Sequence, residues 1–420
     1  MSSKYCLLLG TEKNRFRALV ATARVTNMKI AVMLPGGYVN GNRYADLIID
    51  GNPENMEQAL AAVQAFAKRE GMQPGAVIPL TEMTIAPGGL IAQYYGLNYL
   101  SELALTLTRN KFEMRKAAQR NGLNVPKFAH FNNLEQLLIL AEGFPFPAVV
   151  KPTNAGGSEG VTYVSNKDEL ASAFVNLRQA TENYTSKFGI ANNDYQIEQF
   201  INARIELSVE VLNSKTGRQV LAVTDKELTQ LPHFVEIGHS LPSIESDNQK
   251  LKQMALKACE VLNVEHGIAH VEFMIDHNGK IYLLELNART PGGGIPEIFE
   301  KITGVNMLEL HSRSYLYNEV LVPEYHMSGL AAVGFMKAKQ GVINQIKLPL
   351  QSELPKEVFG LQLWTSKGAR VNPLYSNAEL EGYVEFYCPD YKLTGKPKEY
   401  LALTQQLTQQ IFQVTEEVEN

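Results

Sequence analysis

Apolar residues come in short runs over the first hundred positions: 5–9, 29–34, 47–49 and 76–80 are each strand-length and nearly unbroken. A helical spacing occupies 56–69. Apolar runs alternating with helical stretches predict βαβ units around a parallel sheet, since a strand buried on both faces has no polar side to show. Gly10 ends the first run and no GxGxxG follows it, so the segment lacks a dinucleotide fingerprint and reads as a scaffold or substrate-side domain.

From about residue 108 the periodicity changes. A helix is expected over 108–119, stopped by Asn121-Gly122, then an extended 125–131, a helix over 133–141 and a strand over 148–151. A glycine-rich connection leads to a strand at 161–164. Asn166 with Glu169 three residues on gives a capping-box-like start to a helix reaching 177. Strands follow at 195–201, 206–212 and 219–224, a helix at 247–262, and strands at 268–275 and 280–286. Beyond 323 come short strands, glycines and a last helix at 398–418. The expected division is 1–105, 106–315 and 316–420, which agrees with about three domains for 420 residues.

Composition narrows the classes. Hydrophobic residues at 45% and charged residues at 20% are ordinary for a globular chain and exclude extensive disorder. The net charge is −5 and no basic run or basic-aromatic stripe is present, which argues against nucleic acid as a partner. Cys6, Cys259 and Cys388 are scattered and form no CxxC, so neither a disulfide framework nor a zinc site is expected. The first apolar run meets Thr11-Glu12-Lys13 before a signal-peptide core is complete, and no stretch nears the roughly 18 apolar residues of a membrane span. A cytoplasmic protein without membrane contact is expected.

The most informative segment is 267–294, GIAHVEFMIDHNGKIYLLELNARTPGGG. Asn278-Gly279 between alternating strands predicts a hairpin with a two-residue turn. If His277 pairs with Lys280, Glu272 faces Glu285 and His270 faces Asn287 on one side of the sheet, with Val271, Phe273, Leu284 and Leu286 on the other. Two directly opposed carboxylates, with Cβ atoms about 5 Å apart, repel unless positive charge lies between them. Mg²⁺, which takes one or two carboxylates plus phosphate oxygens, suits Glu272, Glu285 and the Asn287 oxygen. The alternative is a polar face paired with nearby lysines or arginines.

Upstream, Lys151 ends an apolar strand just before Gly156, Gly157, Ser158 and Gly160. Such a loop lets backbone N–H groups approach an anion, with Lys151 adding charge; it is no Walker loop, because GxxxxGK[ST] is absent. Glu198 and Glu206 stand eight residues apart in strand material.

In this order, Lys111, Lys151 with its glycine loop, Glu198, Glu206, then Glu272, Glu285 and Asn287 resemble the ATP-grasp superfamily over about residues 1–315. The resemblance implies an ATP-grasp fold in an α/β and α+β multidomain chain. It would have an N-terminal parallel βαβ domain (1–105), central and nucleotide-binding subdomains (106–315) and a C-terminal extension (316–420). It further implies Lys111 and Lys151 on ATP phosphates and the Gly156-Gly157-Ser158 loop as a lid. Adenine would lie against the hinge of Glu198, Gln199, Phe200 and Ile201, with Glu206 on the ribose. Mg²⁺, with Mn²⁺ as the alternative ion, would sit on Glu272, Glu285 and Asn287.

Asn287-Ala288-Arg289 leading to Gly292-Gly293-Gly294, together with 234–239 (FVEIGH), looks most like the L-amino acid ligases, dipeptide-forming carboxylate-amine ligases. That resemblance implies small carboxylate and amine substrates, both amino acids, an acyl phosphate, release of ADP and phosphate, and a homodimer. Arg289 and Lys151 would act in catalysis, and Glu236, His239, Arg289 and Gly293 would contact substrate. Carboxylase-type and purine-pathway relatives share the core, and a non-catalytic ATP-binding regulator is the rival from another class.

Overall fold

The computed structural model describes residues 3–10, 16–37, 45–188, 193–231, 233–390 and 399–415. Strands Ser3–Leu9 (β1), Lys29–Leu34 (β2), Leu47–Asp50 (β3) and Met72–Pro79 (β4) form the expected parallel sheet, in the order β3-β2-β1-β4. Residues 5–9 are wholly buried, as a strand covered on both faces requires.

Phe128–Phe131 (β5), Ala148–Pro152 (β6), Thr162–Val164 (β7) and Tyr195–Gln199 (β8) make an antiparallel sheet, β5-β8-β6-β7. Leu137, Leu170, Phe174 and Leu177 of two covering helices pack with Phe131, Val150 and Ile197 to form its core. The strand expected to reach 201 stops at Gln199, which leaves Phe200 and Ile201 as a connection to the next sheet.

The helix expected over 108–119 is two helices, Glu102–Arg109 and Lys111–Arg120. They separate at Asn110, whose backbone is extended (φ −113, ψ 107) and whose Oδ1 accepts hydrogen bonds from the N–H groups of Phe112 and Glu113. Apolar spacing carries on across the break, so periodicity alone misses this N-cap. It starts a helix at Lys111.

The largest sheet begins with Ala203–Ser214 (β9), Gly217–Leu228 (β10), Glu236–Leu241 (β11), Gly267–Asp276 (β12) and Ile281–Asn287 (β13). After residue 315 come Leu330–Met336 (β14), Gly341–Ile346 (β15), Val358–Leu363 (β16), Arg370–Val371 (β17), Gly382–Cys388 (β18) and Phe412–Thr415 (β19). Of these, β14, β18 and β16 continue the same ladder, giving β13-β12-β9-β10-β11-β14-β18-β16. The last helix is Glu399–Ile411 and gives way to β19, so the helix expected to 418 ends sooner; 398 and 416–420 lie outside the described residues. One face of the large sheet buries Val209, Val271, Phe273 and Leu283 against Leu251, Ala255 and Ala258 of the helix Gln249–Val261. Its other face is polar and faces the β5–β8 layer across a cleft.

The hairpin turn differs from its expected form. Asp276 pairs with Lys280 across three residues, Gly279 is left-handed (φ 77), and the Asp276 carboxylate accepts from the N–H groups of Asn278 and Lys280. A bulge then restores the register: Phe273 pairs with Leu283, yet Glu272 pairs with Glu285 and His270 with Asn287. The expected pairing at the acids holds because the extra turn residue and the bulge cancel. The correction falls on Leu284, which leaves the core face and lines the cleft beside Glu285.

The three cysteines are unpaired. Among the described residues no helix is long and apolar enough to cross a membrane.

One buried acid yields a pH prediction. Glu385 on β18 is 3% exposed, its Oε1 has no hydrogen-bond partner, and a Cβ on Gly360 would lie 1.7 Å from its Oε2. Burial, then Glu297, pushes its carboxyl up to about 7 against a smaller opposing effect of Arg17. A raised acid binds its proton more tightly when folded, so stability falls as pH rises from about 4.5 to 7 and is flat beyond, by roughly 3 kcal/mol in all. Glu385→Gln is expected to melt close to the parent at pH 5 and well above it at pH 8. Parallel melting curves for the two chains across that range would refute this.

Candidate active site

The polar face of the large sheet gathers its charges by strand alternation. Residues 206, 208 and 210 of β9, 226 of β10 and 270 and 272 of β12 project to the same side, and cross-strand pairs bring them together. Glu272 and Glu285 face one another, but each has a cation of its own. Lys111 Nζ lies 2.7 Å from Glu285 Oε1 and donates to the Ala155 carbonyl at 2.7 Å. Lys226 Nζ lies 2.9 Å from Glu272, 2.7 Å from Glu236 and 3.8 Å from Glu206.

These contacts set the charge states. Burial works against the charge of Lys226, yet Glu236, Glu272 and Glu206 outweigh it and hold the ammonium well above the usual lysine range. Burial also works against the Glu272 carboxylate, but Lys226 and His270 keep it far below the ordinary range. Glu206 goes the other way: burial exceeds the pull of Lys226 and raises it to about 7. His270 Nε2 is 3.0 Å from Glu272 and its Nδ1 3.1 Å from the Glu210 carboxylate. Burial opposes its charge, but the two acids, Glu210 foremost, raise it to about 9, so both nitrogens donate and the ring braces Glu272.

Does this set fit a magnesium ion? Asn287 Oδ1 is buried beside the acid pair with no hydrogen-bond partner. An orphan amide oxygen next to two carboxylates is the all-oxygen donor set that Mg²⁺ prefers. Among the described residues no three His, Cys, Asp or Glu side chains converge as metal ligands, so an ion here would complete its shell with the amide oxygen, water and phosphate.

The cleft between the two sheets encloses about 330 Å³. Lys111, Lys151, Gly156, Gly157, Ser158, Glu198, Gln199, Phe200, Ile201, Glu206, Glu236, His239, Glu272, Glu285, Asn287, Arg289 and Gly293 all line it, so the structure brings these residues, assigned roles from the sequence, into one cavity. Met274 and Leu284 supply an apolar patch opposite Val149, Phe200 and Ile201.

Glu198 is not solvent-facing, as an isolated acid on a strand would be expected to be. Its carboxylate binds Lys151 Nζ at 2.7 Å and Arg115 Nε at 2.9 Å. Burial pushes Glu198 up, but Arg115 and Lys151 outweigh this and keep it ionised. For Lys151 burial wins and lowers the ammonium, with Glu198 opposing. A buried lysine on a buried anchor has little freedom, so it is aimed in advance.

The glycine loop is folded down over the cleft. Ser158 Oγ donates to the Phe234 carbonyl at 2.9 Å and the Asn377 N–H to the Gly157 carbonyl at 3.4 Å. Gly157 is left-handed (φ 67), and a Cβ on Gly156 would come within 3.0 Å of Glu82 Oε2. Across the cleft His239 Nδ1 donates to the Gly293 carbonyl at 3.0 Å, and its Nε2 is 3.5 Å from Glu236. A Cβ on Gly293 (φ 59) would meet His239 Cε1 at 2.5 Å.

Sequence reasoning missed two charged residues. Lys226 sits in an unremarkable strand, and only partners from three other strands give it meaning. Glu82, just beyond β4, pairs with Arg109 and lies 3.9 Å from Arg289. Burial raises its carboxyl, and Arg109, Lys111 and Arg289 together overcome this and lower it. A signal for it was present, since ligands of open α/β sheets gather at the carboxyl ends of the strands.

Residues 144–297 match the family model described as an ATP-grasp domain. The chain is 26% identical over 263 residues to the alanine–anticapsin ligase of Bacillus subtilis, covering 59% of this chain and 55% of that protein. It is 21% identical over 294 residues to the L-arginine-specific L-amino acid ligase of Bacillus subtilis, covering 69% and 66%. The match thus spans little more than half the length of the first of these curated relatives. Among solved structures, the L-amino acid ligase from Bacillus licheniformis superposes with a TM-score of 0.83 at 21% identity, over 100% of both chains. The fold is therefore the one expected, an ATP-grasp fold behind a parallel-sheet domain.

Proposed function

We propose that this chain, which carries an ATP-grasp domain, is an ATP- and magnesium-dependent ligase that joins one amino acid's carboxylate to the amine of another. The observation carrying this reading is the convergence on one cleft of Lys111, Lys151, Lys226 and Arg289 with the opposed Glu272 and Glu285 and the unpartnered Asn287 oxygen.

Each element has a task in that reaction. Lys111 and Lys151 neutralise phosphate charge, and the main chain of 199–201 with Met274 and Leu284 offers the flat apolar slot that a purine needs. Glu206 reaches the ribose hydroxyls. Glu272, Glu285 and Asn287 hold Mg²⁺, which when bound supplies charge stabilisation for phosphoryl transfer. Arg289 presents a planar fork to the substrate carboxylate as one of its oxygens attacks the γ-phosphorus, giving an acyl phosphate and ADP. The folded glycine loop excludes water from that labile mixed anhydride. The amine nitrogen then attacks the acyl carbon, the C–O bond to phosphate breaks, and the amine proton leaves toward Glu236 or His239, which share this wall. The products are an amide, ADP and phosphate.

In this reading Arg289 and the metal-binding set lie where a γ-phosphoryl group would be, beyond Lys111, Lys151 and the glycine loop, which favours acyl phosphate over acyl adenylate. The test is a screen of L-amino acid pairs with Mg-ATP, following phosphate release and the peptide by mass. With an ¹⁸O-labelled carboxylate substrate, one label is expected in inorganic phosphate. Pyrophosphate, label in AMP, or ATP turnover that needs bicarbonate and no amine would overturn the proposal.

A further inference from the structure

The C-terminal part of the chain reaches the cleft through a single 3-10 turn, Asn377–Glu379. Ser376 caps it, its N–H and Oγ donating to the Glu379 carboxylate at 2.7 and 2.8 Å, and Lys337, just past β14, donates to the Glu379 carbonyl at 2.6 Å. So anchored, the turn sets Asn377 against Glu236 and the glycine loop together. Asn377 Oδ1 accepts from the Glu236 N–H at 3.1 Å and its Nδ2 donates to Glu236 Oε2 at 3.2 Å, while its own N–H donates to the Gly157 carbonyl at 3.4 Å. An amide offers that acceptor and that donor side by side, which neither aspartate nor leucine can do. Beside these bonds the rings of Tyr375 and His233 meet edge-on at 5.1 Å.

The closed form of the glycine loop is strained. Gly157 and Ser158 are both left-handed (φ 67 and 62), and a non-glycine residue keeps that conformation where its neighbours enforce it. Two bonds carry the loop across the cleft, from Ser158 Oγ to the Phe234 carbonyl and from the Asn377 N–H to the Gly157 carbonyl. Both lead to Glu236: Phe234 stands two residues before it, and Asn377 is bonded to it. Nucleotide must enter and leave past this loop, so its docking is made and broken in each turnover.

We propose that Asn377 is a positioning residue that latches the closed glycine loop to Glu236 and so sets how much acyl phosphate passes to the amine and how much is lost to water. The partition rests on the ligase reading; the docking of the loop does not. With the latch made, the loop is shut and Glu236 is held by its main chain and by one oxygen, while Lys226 takes the other at 2.7 Å. With it broken, water attacks the acyl carbon and the C–O bond to phosphate breaks. Free carboxylate, phosphate and a proton then leave with no amide formed.

Two substitutions in the full-length chain test this. Asn377→Ala removes both side-chain bonds, and Asn377→Asp keeps the shape but sets a carboxylate against that of Glu236. Asn377 is half-buried, so both chains are expected to fold. With Mg-ADP present, amide hydrogen exchange over 155–161 is expected to rise about fivefold in Asn377→Ala, the worth of one hydrogen bond in the open–closed equilibrium, and further in Asn377→Asp. Exchange in β12 and β13 should not change. In turnover, the fraction of phosphate released without amide is expected to rise about fivefold in Asn377→Ala as well, a ratio that partial loss of folded enzyme does not move.

Unchanged exchange of the loop in both variants would overturn the latch, whatever the activity of the chain. Raised exchange with an unchanged fraction of uncoupled phosphate, in an active ligase, would overturn the partition. Raised exchange with no phosphate released from any amino acid pair would bring down the ligase reading and the partition with it, and would support the docking of the loop on Asn377.

Discussion

Replacing Lys226 with methionine is expected to destabilise the protein by about 3–5 kcal/mol and to abolish turnover. The ammonium is buried and is shared by Glu236, Glu272 and, more distantly, Glu206. Methionine keeps the length of the stem and removes the charge, leaving acids on three strands facing one another with nothing between them. Magnesium provides the discriminating measurement. In the parent an ion on Glu272 must compete with Lys226, whereas in Lys226→Met it meets carboxylates that have lost their shared ammonium and keep only His270 beside Glu272. Added Mg²⁺ should therefore raise the melting temperature of the variant more than that of the parent. In turnover Lys226 would leave Glu272 for the phosphates when metal and nucleotide arrive, so Mg²⁺ would restore stability without restoring activity. A variant that melts like the parent in the absence of metal would show that the carboxylates are not held by this lysine.

The contrast between Lys226 and Glu285 marks what was legible in the sequence. The hairpin of Glu272, Glu285 and Asn287 could be read because its partners are close in sequence and alternation fixes their side of the sheet. Even there the turn was read a residue too short, and the pairing survived through the bulge that exposes Leu284 to the cleft. The parallel sheet was legible because strands buried on both faces leave long apolar runs. Lys226 and Glu82 were not, because each takes its partners from other strands or other sheets. Asn110 was hidden differently: the helical spacing runs through it, and only its side chain bonds to Phe112 and Glu113 reveal a new helix beginning at Lys111. Short-range patterning thus locates the opposed acids, and tertiary contacts decide which cations answer them.

That division bears on the expected effect of Glu285→Gln. From the register alone, removing one of two opposed carboxylates should relieve repulsion, so that stability holds or rises. The structure adds Lys111, 2.7 Å from Glu285, and narrows that expectation. Glutamine can still accept from the Lys111 ammonium, but a charge-assisted bond becomes a weaker neutral one, a loss of about 1 kcal/mol that offsets the relief from Glu272. The melting temperature should therefore hardly move. Turnover should move greatly, because the amide brings no charge to the cation that must balance the γ-phosphoryl group, and a fall of about a hundredfold to a thousandfold in kcat is expected. Raising Mg²⁺ should recover part of that loss, and the concentration for half-maximal rate should rise about tenfold or more. Glu285→Asp, which keeps the charge on a shorter stem, should lie between the two. Near-parent kcat in Glu285→Gln at ordinary Mg²⁺ would remove Glu285 from the metal site, and an unchanged magnesium dependence alongside a lowered kcat would assign it to positioning Lys111 instead.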